Sequence, residues 1–137
     1  MNILSVGIGG VIGALARYYI YLPLNSHSIF PWGTLTVNLL GSFFLALFLT
    51  VALKHYYHRS FLVLGVSTGF TGAFTTFSSV SVEAVKLILI SPFLCLAYIA
   101  VSFLAGLILA FAGRQLGLYI SALIDEKLGV KETNVFE

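Results

Sequence analysis

The chain has 137 residues, 59% of them hydrophobic and only 9% charged, with a formal net charge of +2 and a mean hydropathy of +1.04. A water-soluble domain of this size cannot hide so much apolar surface, so the composition excludes a soluble globular protein and points to an integral membrane protein. A single cysteine, Cys95, excludes an internal disulfide and any multi-cysteine metal site.

Four apolar runs, residues 3–22, 32–53, 61–90 and 92–112, each reach the roughly 20 residues that a membrane-spanning helix needs. The first begins at residue 3 with no basic segment before it and no small-residue cleavage site, so it reads as a retained span and not as a signal peptide. Its stretch "GIGGVIGA" carries glycines that allow close helix packing. Arg17 lies near its far end beside Tyr18, Tyr19 and Tyr21, and reads either as a snorkelling anchor or as a charge drawing anions into a vestibule. After the short connection "PLNSHSIFP", the second run carries hydrogen-bonding side chains at Thr34, Thr36, Asn38 and Ser42. In "KHYYHRS", His55 and His58 are three apart, but their aromatic and basic neighbours read as an interfacial loop in preference to a metal site.

The third run is about 30 residues long and as a continuous helix would extend about 45 Å, well beyond a hydrocarbon core of about 30 Å. Gly65, Gly69 and Gly72 precede Thr75 and Thr76, whose hydroxyls can cap a new helix, so a break is expected within 72–76, giving two half-helices. Non-helical backbone at membrane depth survives only inside protein or against a wet cavity, and such a break marks a transport or ion site. Freed carbonyls can hold a cation, and the second half-helix turns the positive end of its dipole toward an anion. The alternative is that these glycines serve packing alone.

Beyond the break, Phe77, Val80, Ser81 and Ala84 share a helical face, with Ser78 and Ser79 alongside. A phenyl ring has a positive edge, and hydroxyls can replace part of an anion's water shell. Glu83 and Lys86, three apart, read as a pair near an interface. In the fourth run Cys95 reads as a packing residue, and Tyr98 and Ser102, four apart, face the same way. Donors without fixed cations suit a small anion that must be stripped of water and still leave. After Ile124 the chain turns polar, so the domain expected is a single four-helix transmembrane unit over 1–124, followed by a solvated tail over 125–137. No nucleotide loop, metal-ligand cluster or nucleophile triad is present, so neither an enzyme nor a nucleic-acid partner is expected.

Four motifs in order, "GGVIGALARY" (9–18), "WGTLTVNLLGSF" (32–43), "GFTGAFTTFSSVSVE" (69–83) and the Tyr98/Ser102 pair, make the chain resemble the Fluc/CrcB family of fluoride channels. The resemblance implies an all-α subunit of four transmembrane helices with a broken third helix, assembled in membrane lipid as an antiparallel dimer with two passive fluoride pathways in the cell membrane. It implies that Phe77 lines the pathway with Asn38 beside it, that Ser78, Ser79, Tyr98 and Ser102 form a polar track, and that Arg17 lies in the vestibule. It further implies that backbone carbonyls of Gly72 and Thr75 hold a structural Na⁺ shared by both subunits. One departure stands out: residues 75–80 read "TTFSSV" where the family has "TTFSTF", so Val80 replaces a second pathway phenylalanine.

Two other classes have the same size. A proton-coupled multidrug exporter needs a membrane carboxylate, normally in its first helix, and here the apolar runs hold only Glu83. A non-conducting subunit of a membrane assembly is the other. Charge distribution bears on assembly: Lys54, Arg59, Arg114, Lys127 and Lys131 fall on one side of the expected topology and Arg17 and Lys86 on the other, a bias toward cytoplasmic termini. A chain that inserts both ways should show almost no bias. That bias and Val80 together make a heterodimer with a related subunit the alternative to a homodimer.

Overall fold

The computed structural model describes residues 2–25, 28–56 and 60–128, and among these all regular structure is helical. In chain order the elements are α1 (Asn2–Asn25), α2 (Trp32–His55), α3 (Ser60–Leu64), a π-helical stretch (Gly65–Thr71), α4 (Gly72–Phe74), α5 (Phe77–Ile90) and α6 (Pro92–Leu128). Four segments are long and apolar enough to cross a bilayer: Asn2–Asn25, Trp32–His55, Phe61–Ile90 and Pro92–Lys127. The chain is a multi-pass integral membrane protein, and helices are the form in which its backbone satisfies itself in lipid.

Helices in hydrocarbon gain nothing from burying leucine against leucine, so close backbone approach and polar contacts hold them together. Helix α1 meets the π-helical stretch through two glycines four residues apart. A Cβ on Gly9 would run into the Gly65 carbonyl oxygen, and one on Gly13 into that of Phe70. Helices α2 and α6 use the same device: a Cβ on Gly113 would strike the Phe43 carbonyl oxygen, and one on Gly117 would lie 2.8 Å from Thr50 Cβ. The small apolar core gathers Leu35, Val80, Leu87, Cys95 and Tyr98, from α2, α5 and α6. Large apolar side chains such as Ile3, Leu89, Phe93 and Leu107 remain exposed on the subunit, as a lipid-facing surface requires.

The third apolar segment is irregular in two places. The π-helical stretch is wide enough for Thr71 Oγ1 to donate to the carbonyl of Val66, five residues back, at 3.1 Å. Further on, Thr75 (φ −84°, ψ 159°) and Thr76 (φ −152°, ψ 119°) have extended backbone before α5 begins at Phe77.

Helix α6 runs past the expected limit of residue 112 to Leu128. Gly113 and Gly117 carry it along α2, and its far end is held by Asp125, whose Oδ2 takes Lys54 Nζ at 2.6 Å while His55 Nδ1 lies 3.9 Å from Oδ1. The polar tail expected over 125–137 therefore starts inside a helix, and residues 129–137 lie outside the described residues, as do His58 and Arg59. Arg114 stands beside the middle of α2, because its neighbour Gly113 abuts Phe43 and Leu47.

Candidate functional site

Two extended residues at membrane depth leave peptide groups that helical neighbours do not satisfy, and Asn38 on α2 meets that need. Its Nδ2 donates to the Thr76 carbonyl at 3.0 Å, and its Oδ1 accepts from the Thr76 N–H at 2.8 Å. One amide thus pairs with both groups of Thr76, as a neighbouring strand would. Gly41, one turn on, leaves room for the methyl of Thr75. The Thr76 hydroxyl caps α5 by accepting from Ser79 N–H at 3.2 Å, and it also lies 3.1 Å from both Ser78 Oγ and Ser79 Oγ. Three hydroxyls are thereby gathered at the positive end of a 14-residue helix.

This pattern bears on Gly72 and Thr75. In a continuous helix the Gly72 carbonyl would accept from Thr76 N–H, and the Thr75 carbonyl from Ser79 N–H. Both donors are diverted here, the first to Asn38 and the second to the Thr76 side chain. The Cβ direction of Gly72 meets nothing within 4 Å. Two hard oxygen acceptors deprived of their helical donors fit a Na⁺ ion.

Two cavities flank the turn. The first, of about 480 Å³, is lined by Tyr21, Asn25, Ser78, Ser79, Glu83 and Lys86 among others. The second, of about 500 Å³, is lined by Asn38, Thr75, Phe77, Val80 and Ser102 together with apolar residues of α6. Phe77 is 73% exposed, so the ring stands on the outside of the subunit, whereas Val80 is buried and also packs in the core. Ser102 Oγ donates to the Tyr98 carbonyl at 2.7 Å. Of the residues singled out from sequence, Asn38, Thr75, Phe77, Val80 and Ser102 share one cavity, and Ser78 and Ser79 line the other. Tyr98, Gly72 and Arg17 line neither.

Tyr98 is fully buried and turns its hydroxyl to Glu83 Oε2 at 2.8 Å. Glu83 Oε1 accepts from Thr34 Oγ1 at 2.7 Å and from Asn25 Nδ2 at 3.2 Å, while Asn25 Oδ1 accepts from Gly33 N–H at 2.7 Å. The carboxylate thus ties α1, α2 and α6 to α5. The expected pairing of Glu83 with Lys86 is not found: among the described residues the ion pairs are those of Asp125 with Lys54 and His55. Three competing donors have claimed the carboxylate. Sequence reasoning missed this hub, although a lone carboxylate in an apolar helix, with a tyrosine fifteen residues on, is the signal that could have found it.

Comparison with known proteins agrees with the motifs. A family described as "CrcB-like protein, Camphor Resistance (CrcB)" matches residues 4–114. The chain is 44% identical over 115 residues to "Fluoride-specific ion channel FluC 1" of Bacillus thuringiensis subsp. konkukian, covering 82% of this chain and 84% of that protein. It is 40% identical over 133 residues to "Fluoride-specific ion channel FluC 2" of Carboxydothermus hydrogenoformans, covering 96% and 98%. It is also 40% identical over 120 residues to "Fluoride-specific ion channel FluC" of Thermosipho melanesiensis, covering 85% and 96%. These names are those of channels and not of enzymes.

Proposed function

The chain belongs to the CrcB-like protein family, and from that membership we propose that it is a passive fluoride channel subunit of the cell membrane. The observation that carries the reading is the turn at Thr76: one cavity is lined by Ser78 and Ser79 and another by Thr75, Thr76 and Phe77, and hydroxyls, a ring and a helix N-terminus converge there. A fluoride ion leaving bulk water must exchange its hydration shell for donors that hold it weakly enough to let go. Ser78 and Ser79 offer hydroxyl donors beside the positive end of α5, and the Phe77 ring edge continues the series in the second cavity, where Ser102 joins it only by turning its hydroxyl away from the Tyr98 carbonyl. Val80 brings no ring edge to its place, so Phe77 carries the aromatic contact of this subunit alone.

The third crossing is a broken helix in this reading, supported by the extended Thr75 and Thr76 and by the Asn38 amide that satisfies them. The subunit works as an antiparallel dimer. The exposure of Phe77 supports this, because a ring on the outer wall of an open cavity needs a second surface to enclose an ion. A Na⁺ held by the Gly72 and Thr75 carbonyls of both subunits would supply the charge that those acceptors otherwise lack. The partner is a second copy in the opposite orientation or a related subunit.

Efflux of fluoride from liposomes containing the purified chain tests the reading. Flux should follow the fluoride and voltage gradients and persist when a proton gradient is collapsed. A flux that stops with the proton gradient identifies a coupled exporter instead, with Glu83 as its carboxylate. Mapping a C-terminal tag in cells decides the partner: termini on both sides, with robust flux from the chain alone, establish the homodimer.

A further inference from the structure

We propose that Lys86 is the anion-recruiting group of the first cavity, admitting fluoride to the Ser78–Ser79 end by offsetting the negative charge of Glu83; the inference rests on the channel reading above. Lys86 and Glu83 supply the two charged side chains in the wall of this cavity. They are three residues apart on α5 and yet form no contact ion pair, because the carboxylate is occupied by Asn25, Thr34 and Tyr98. Lys86 is exposed and, among the described residues, has no acidic partner within ion-pair distance. Its positive charge is therefore available to the cavity.

The geometry gives that charge a task. Ser79 lies about one turn before Glu83 and about two turns before Lys86 on α5, with Ser78 next to it, so an anion that approaches the hydroxyls past Lys86 also passes the carboxylate. A carboxylate alone would repel it, and in a cavity with low-dielectric walls that repulsion exceeds its value in bulk water. A lysine beside the carboxylate cancels the repulsion without binding the anion tightly, because an ammonium on a flexible stem is a mobile and well-hydrated charge. Long-range attraction of this kind raises the local anion concentration and the rate of entry, not the rate of passage once the ion is inside.

The experiment compares wild type, Lys86→Gln and Lys86→Arg by fluoride efflux from liposomes over a range of fluoride concentrations, with dimer content checked by gel filtration. Lys86→Gln should lower flux at low fluoride by about five-fold and change the saturating rate little, while Lys86→Arg should restore the low-fluoride flux. Raising the ionic strength with the salt of a large impermeant anion should shrink the difference between wild type and Lys86→Gln. Equal flux for wild type and Lys86→Gln at every concentration overturns the inference, as does Lys86→Arg behaving like Lys86→Gln. A wild type that carries no fluoride overturns the channel reading and this inference with it.

Discussion

Asn38 uses one amide for two backbone groups, and the order of donor and acceptor matters. Replacing it with Asp keeps an acceptor for the Thr76 N–H but turns the other contact into oxygen against oxygen. Leaving the Thr76 carbonyl unpaired should cost about 1–3 kcal/mol, and the new charge also repels an anion in the adjoining cavity. Asn38→Asp is therefore expected to lower the melting temperature and to suppress fluoride flux together. Wild-type values for both would show that Asn38 neither supports the turn nor borders the path. Phe77 calls for the opposite pattern, because its ring is exposed and few packing contacts depend on it. Phe77→Ile should leave thermal stability unchanged while slowing fluoride flux about five- to ten-fold, the value of a lost ring-edge contact. Unchanged flux in a stable Phe77→Ile protein would remove the ring from the pathway.

At the scale of elements, the irregular third segment is positioned by glycines of its neighbours. Gly9 and Gly13 let α1 lie directly on the π-helical stretch, and the Phe70 carbonyl occupies the space where a Gly13 side chain would begin. Gly13→Val should force the two apart at a cost of about 1–3 kcal/mol or more, read as a lower melting temperature in detergent. Gly10→Ala is the control, because its Cβ would meet only the Gly69 carbonyl oxygen at 3.9 Å, an ordinary contact. Equal melting of Gly13→Val and wild type would mean that α1 does not press on this stretch. The same logic explains α6, whose continuation to Leu128 depends on Gly113 and Gly117 against α2 and on the Asp125 ion pair, features separated by many residues in sequence.

For the whole molecule, the subunit has a half-open cavity with a ring on its outer wall and two carbonyls whose helical donors are diverted. Both features are incomplete in one chain, and the proposed dimer with a shared Na⁺ would complete them. Replacing Na⁺ with a large organic cation during purification should reduce dimer content in gel filtration and lower fluoride flux, because oxygen acceptors sized for a small hard ion cannot hold a large soft one. Dimer content and flux that both ignore the replacement would argue against a structural ion.

Residue composition and run length alone determined that the chain crosses the membrane and how many times, because about 20 apolar residues have no stable alternative to a spanning helix. The extended backbone of Thr75 and Thr76 falls within the 72–76 window in which glycines, hydroxyls and excess length made a departure from regular helix expected. Motif order alone carried the family. The tertiary structure decided the hydrogen-bond partners. Asn38 meeting Thr76, Tyr98 turning to Glu83, and Lys86 left without an acid among the described residues all depend on which helices become neighbours and at what height. Periodicity along one helix specifies which residues share a face, but it carries no information about the donor that a neighbouring helix brings to that face. Glu83 and Lys86 satisfied the local rule for a pair, and three donors from α1, α2 and α6 overrode it.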